Sequence, residues 1–148
     1  MPFYFTLGPL LRLRESLEKA ELQRLRMMAM QVAQARVEIE ALDCEIEAAR
    51  RQLLEQAATG ISGAELNMAA LLEAARREQR LRLVAKLDVL EQARRKQQSR
   101  YTEVRQQREI VSNLRKRQLS AYQREQARHD QQQADEFFLI RRGAKSRL

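Results

Sequence analysis

The sequence predicts an all-α protein: two long antiparallel helices forming a coiled-coil hairpin, the second helix longer than the first. Three observations predict it. The 148 residues include no Trp, 4 Gly and 2 Pro, and aromatics are 5%. Gly and Pro punctuate turns, so a chain this poor in them has few turns; Ala, Leu, Glu, Gln and Arg dominate, as in long helices. Second, Leu25, Met28, Val32, Ala35, Ile39, Leu42, Ile46, Ala49 and Leu53 form nine positions in unbroken 3-4 alternation, none of them polar. Such a stripe keeps to one side of a helix only if the helix winds around a partner. Third, helix-stop and helix-start signals meet between Thr59 and Glu65, which places that partner in the same chain.

The elements follow in order as one coiled-coil domain, 1–148: helix 1 over about 8–58, a turn at 59–62, helix 2 over about 63–142 and a basic tail at 143–148. Pro9 suits a first helical turn, where its missing N–H costs nothing, and Thr6 or Gly8 can cap that turn. Leu10, Leu11, Leu13 and Leu17 then begin a stripe whose phase differs from the main one, because Leu17 and Leu25 are eight residues apart. A register slip near Ala20 to Leu22 is therefore expected. Thr59-Gly60 supplies a left-handed stop. Ser62-Gly63-Ala64-Glu65 reads as a capping box, in which the Ser hydroxyl accepts from the third helical N–H and Glu65 reaches back; Ile61 and Leu66 have the spacing of a hydrophobic staple. Gly143 is the expected terminator of helix 2.

Folding at Ile61 sets residue i of helix 1 opposite about 122 minus i. The main stripe then faces about Ala69 to Gln97, with Leu72, Leu83, Leu87 and Leu90 in the seam and a weak spot from Arg76 to Arg80. Val104, Val111 and Leu114 can meet Leu10, Leu11 and Leu17. Beyond about Leu114 the second helix has no partner, and a lone helix draws little stability from propensity alone. The apolar run Phe137 to Ile140 at its far end is costly in water, so it folds back on Phe3, Phe5 and Leu7 or meets another protein.

Charge is uneven. Residues 94–148 carry 15 Lys/Arg against 6 Asp/Glu, a net of +9, whereas residues 1–93 carry 13 against 14, a net of −1. One end is thus suited to an acidic surface or to solubility. The basic clusters Arg94-Arg95-Lys96 and Arg115-Lys116-Arg117 raise a nucleic-acid reading. Only Tyr101 and Tyr122 are interleaved as stacking aromatics, and the charges lie all round the helix, so no nucleic acid is expected. No signal peptide and no membrane span of about 18 to 20 apolar residues is found, and a cytosolic protein is expected. The single Cys44 allows no internal disulfide.

No catalytic constellation emerges, so an enzyme is not expected, nor a cofactor or metal. His129 is the sole His and sits in a polar stretch, as a solvated side chain does. Cys44 falls outside the seam with no base beside it. Asp43, Glu45 and Glu47 splay around a helix as solvated charges. Gly60 and Gly63 are explained by the turn rather than by a phosphate loop. Met28 belongs to the seam; Met27 and Met30 suggest an adaptable contact surface.

Phe3-x-Phe5-x-Leu7-x-x-Leu10-Leu11-x-x-Arg14 ahead of a long hairpin, the Gly60-Ile61-Ser62 turn, and Asp135-Glu136-Phe137 with Arg141-Arg142 near the end together resemble the FliJ family, over essentially the whole chain. These are cytosolic components of the flagellar type III export machine; stalk proteins of virulence-type secretion systems are similarly built. The resemblance implies a non-enzymatic coiled-coil stalk whose terminal end enters the hexameric ring of the export ATPase and favours its assembly. Its body would reach the cytoplasmic domain of the export gate protein FlhA, and it would hold export chaperones. By that resemblance the ring-facing residues are Phe3, Phe5, Leu7, Leu10, Leu11, Arg14, Arg115, Lys116, Arg117, Asp135, Glu136, Phe137, Phe138, Arg141 and Arg142. The gate-facing residues are Glu38, Leu42, Leu72 and Arg76, where family members often carry aromatics; this chain has none between Phe5 and Tyr101. The protein is then expected to be cytoplasmic, held at the cytoplasmic face of the inner membrane only through partners, and a monomer when free. The other readings are a virulence-type stalk, a basic nucleic-acid-binding coiled coil and a structural spacer.

Overall fold

The computed structural model describes residues 1–147; Leu148, the end of the expected tail, lies outside the described residues. Two helices carry the fold, α1 at Gly8–Thr59 and α2 at Gly63–Ser146, and among the described residues there is no strand. Contacts divide the chain into two units, Ala20–Thr102 and Met1–Lys19 with Glu103–Leu148.

The unit Ala20–Thr102 contains the turn. Gly60 takes φ = +93°, a left-handed conformation that costs glycine nothing and other residues a good deal. Its N–H donates to the Ala57 carbonyl at 3.4 Å, and the Thr59 hydroxyl donates to the Gln56 carbonyl at 3.0 Å. The Ser62 Oγ accepts from the Glu65 N–H at 3.2 Å, as a cap should. The returning bond from Glu65 is not formed, and Leu66 is 52% exposed, so the expected box and staple reduce to the serine cap.

All nine stripe positions of α1 are buried or half-buried, with Val32 and Leu42 at 4% and Ala35 at 2% exposure. The two helices are antiparallel here, since partners descend along α2 as positions ascend along α1. Glu21 meets Gln97; Arg36 meets Glu91 at 2.6 Å; Asp43 meets Arg80 at 2.6 Å; Arg50 meets Glu73 at 3.1 Å. Leu83, Leu87 and Leu90 face inward, but Leu72 is 48% exposed. Glu73, Arg76 and Arg80 hold the half-buried positions instead, so the weak spot is real and begins nearer the turn.

The unit formed by the terminal segments corrects several expectations. Leu13 and Leu17 are 55% and 41% exposed, and the inward positions of α1 are Leu11, Arg14 and Glu18. Positions 11, 14, 18, 21 and 25 continue the 3-4 spacing without a break, so no register slip occurs. Leucine does not mark the inward face here, because the helix turns polar residues inward where its partner is also polar. Arg108 donates to Glu18 through Nε at 2.6 Å and Nη2 at 3.2 Å, and Arg14 donates to Gln107. Leu114 is 37% exposed and does not meet Leu17.

The chain ahead of α1 reaches further than a helix would. Phe5, Leu11 and Val111 form a buried cluster flanked by Phe3 and Leu10. Phe3 stacks on Tyr122 with ring centroids 5.6 Å apart and planes tilted by 48°. Thr6 and Leu7 form the turn into α1, and the non-helical residues before them carry the cover past Leu114, with Phe3 reaching Tyr122. Half-buried positions on α2 persist to Gln126, and residues 127–147 are exposed throughout. The bare segment thus starts some twelve residues later than expected. Gly143 does not end α2, which runs to Ser146 with the Ser146 hydroxyl on the Gly143 carbonyl at 3.0 Å. Phe137 to Ile140 do not fold back on the amino-terminal aromatics, which are already engaged.

Inward and outward leucines should separate cleanly. Leu42→Ala should lower unfolding free energy by about 2 kcal/mol or more, and Leu13→Ala should change it by less than about 0.5 kcal/mol, as measured by urea titration followed by circular dichroism. Equal losses would mean that Leu13 is part of the core.

Candidate interaction surfaces

The terminal unit offers the first surface. Arg115, Lys116 and Arg117 are all exposed and form no ion pair among the described residues. Three consecutive positions on a helix point about 100° apart, so these cations project around the helix instead of along one face. A partner that surrounds the helix could engage all three. Farther along, Phe137, Phe138, Leu139 and Ile140 are 64–67% exposed. Asp135 and Glu136 precede them, and Arg141, Arg142 and Lys145 follow, all exposed. Asp135 accepts from Gln131 at 3.1 Å.

The amino-terminal residues named with this surface divide by burial. Phe5 and Leu11 are 7% exposed and act as packing. Phe3 and Leu10 are half-buried, Leu7 is 37% exposed, and the half-buried Arg14 is tied to Gln107 with its Nε left without a partner. The structure therefore joins Phe3, Phe5, Leu10 and Leu11 to α2 near Val111 and Tyr122, while Asp135 to Arg142 stand apart from them along α2.

The unit Ala20–Thr102 offers the second surface, an open cleft of about 300 Å³ beside the turn. It exists because two inward positions there, Ala49 and Ala69, carry small side chains, while Met68 and Leu72 lie off the inward phase at 59% and 48% exposure. Ile46, Leu53, Met68, Leu72, Glu73 and Arg76 line it. Of the four residues expected to face a partner here, Leu72 and Arg76 lie in the cleft. Glu38 is half-buried elsewhere on α1, and Leu42 is buried in the seam, where it packs rather than presents a surface. Met68 was missed because it sits one position off the inward phase marked by Ala69; only its lack of cover marks it.

Glu73 is the electrostatic centre of that cleft. It accepts from Arg50 at 3.1 Å and from Arg77 at 2.9 Å. The hydrogen bond from Arg50 and the charge of Arg77 hold its carboxyl below the usual value of 4.5. Glu91 is likewise lowered by its hydrogen bond from Arg36. The guanidinium of Arg108 is held above its ordinary value by its bond to Glu18.

The two basic clusters differ in exposure, Arg115 to Arg117 being exposed. Arg94 is half-buried with Nε unpartnered, Tyr101 is half-buried, and the Tyr122 ring packs against Phe3. Cys44 is free and exposed. Among the described residues, no group of three or more His, Cys, Asp or Glu is placed to hold a metal ion. Among the described residues, no helix is long and apolar enough to cross a membrane.

Because the folded state lowers the Glu73 pKa, this residue contributes stability that is present above the unfolded value and is lost as pH falls through the lowered one. Glu73→Gln should therefore destabilise the protein at neutral pH, and the gap to wild type should shrink in acid, below the ordinary glutamate value of 4.5. Urea midpoints at both pH values check this; a gap that persists in acid would assign the effect to packing.

A family model described as "Flagellar FliJ protein" matches residues 3–147. No curated protein and no solved structure matches the chain.

Proposed function

The chain belongs to the FliJ family of flagellar proteins, and from that premise we propose that it is the non-enzymatic stalk of the flagellar type III export ATPase. The terminal unit enters the hexameric ring and promotes its assembly. The region near the turn contacts the cytoplasmic domain of the export gate protein FlhA, and the same protein escorts export chaperones. It works in the cytoplasm, held at the inner membrane through these partners.

One observation carries the reading: residues 127–147 of α2 are bare on every side, behind an exposed cationic cluster at Arg115 to Arg117. A helix without cover should fray or dock. Exposed groups all round it suit a partner that encloses it, as a ring does, better than one that lies along one face. Positive charge there favours encounter with an acidic pore lining. Arg141 and Arg142 next to the apolar run would bind at the same place, with Phe137 and Phe138 desolvated on entry. Within Ala20–Thr102, the cleft beside the turn with Leu72 and Arg76 is an open, part-apolar surface suited to the gate. The family match is to a flagellar model, which favours that system over a virulence-type one.

Charge reversal tests the ring contact. Changing Arg115, Lys116 and Arg117 together to Glu should raise the dissociation constant for purified export ATPase by at least about tenfold in low salt and remove its salt dependence. ATPase stimulation should fall in parallel. Unchanged affinity in both low and high salt would sink the proposal.

A further inference from the structure

Helix α1 carries a second stripe, on the face away from α2. It occupies positions 20, 23, 27, 30, 34, 37, 41, 44 and 48, again in unbroken 3-4 alternation, and every one of them is exposed. Each lies two residues after a seam position, about 200° around the helix. None of the nine is charged, although 32% of the chain is. Met27, Met30 and Val37 are 63%, 71% and 57% exposed, and Ala41 and Cys44 continue the line. A solvated helix face has no reason to exclude charge over seven turns; a helix-helix seam has.

The charges flanking this stripe are sorted by sign. Arg24 and Arg26 flank its first half; Glu38, Glu40, Glu45 and Glu47 flank its second. Earlier in α1, Arg12 and Lys19 hold the same flank positions and are also basic. Among the described residues, only Arg24 of these eight has an ion-pair partner within the chain, Glu21 at 3.0 Å. A stripe that is basic at one end and acidic at the other is complementary to itself when reversed.

We propose that the outer face of α1 is a docking surface for a second copy of this chain, paired antiparallel about a two-fold axis near Val32. Residue i then faces about 64 minus i of the second copy. Met27 packs on Val37, and Ala20 faces Cys44. Arg24 meets Glu38 and Arg26 meets Glu40, each twice by symmetry. A parallel pairing would set like charges against each other along the whole stripe. The contact leaves the intrachain seam intact and does not rest on the ATPase reading. It predicts reversible self-association where the hairpin alone gives a monomer.

Sedimentation equilibrium on the full chain tests it, with three variants. Wild type should show a concentration-dependent monomer–dimer equilibrium. Arg24→Glu with Arg26→Glu should raise the dissociation constant by about tenfold or more, and adding Glu38→Arg with Glu40→Arg should restore it. At dilutions where every variant is monomeric, all should keep wild-type helicity and melting, since these side chains lie off the seam. Ala20→Cys under mild oxidation should trap a covalent dimer through Cys44 of the second copy. Wild type should not, because the two Cys44 residues lie about 36 Å apart in this register and a disulfide needs Cα atoms within about 7 Å. A monomer at every soluble concentration, a dimer indifferent to charge reversal, or a wild-type dimer trapped through Cys44 alone would each overturn the proposal.

Discussion

The covering of α1's apolar stripe by α2 is the interaction on which the other features depend. Within Ala20–Thr102 the most deeply buried apolar residues, Val32, Ala35 and Leu42, all belong to that stripe. No side chain in the described residues is fully buried, which is what a seam one residue wide permits. Stability is therefore spread along a line of half-buried contacts with no thick core. Each helix alone would be marginal in water; together they supply each other's missing face. Where cover is present the helices are fixed, and where it ends, as past Gln126, the backbone is offered to a partner.

Polar residues in the seam do different work from the apolar ones. Gln97 is 3% exposed and donates to the Glu21 main-chain carbonyl at 3.2 Å and to its carboxylate. The Glu18–Arg108 pair is three-quarters or more buried on both side chains. Such groups add little net stability compared with well-packed apolar residues, but a shifted register would strand them without partners. They bind the helix pairing to one alignment that leucines, being interchangeable, would leave loose. The salt bridges near the surface, such as Arg36–Glu91, contribute less for their number because water screens them.

Function follows from where cover stops. The open cleft at the turn, the bare end of α2 and the charge-free outer stripe of α1 are three places where this chain leaves apolar groups in water. The family match ties the chain to the flagellum; the distribution of exposure indicates which segments have contacts still to make.

The sequence by itself determined the two helices, the turn at Gly60 and the inward face from Leu25 to Leu53, because periodicity and the left-handed glycine are local properties of the chain. It also determined the FliJ likeness, carried by the two termini and the turn. Tertiary structure alone decided the rest. Whether Leu13 or Arg14 turns inward depends on what the opposite helix presents, and there Gln107 accepts from Arg14 and Arg108 pairs with the inward Glu18. Whether Phe3 and Phe5 cover α2 or wait for Phe137 depends on how far an extended segment reaches, which no periodicity encodes. Leu42 and Leu72 look alike as letters, yet one is buried and the other bare, because burial is a property of the pair of helices and not of either one.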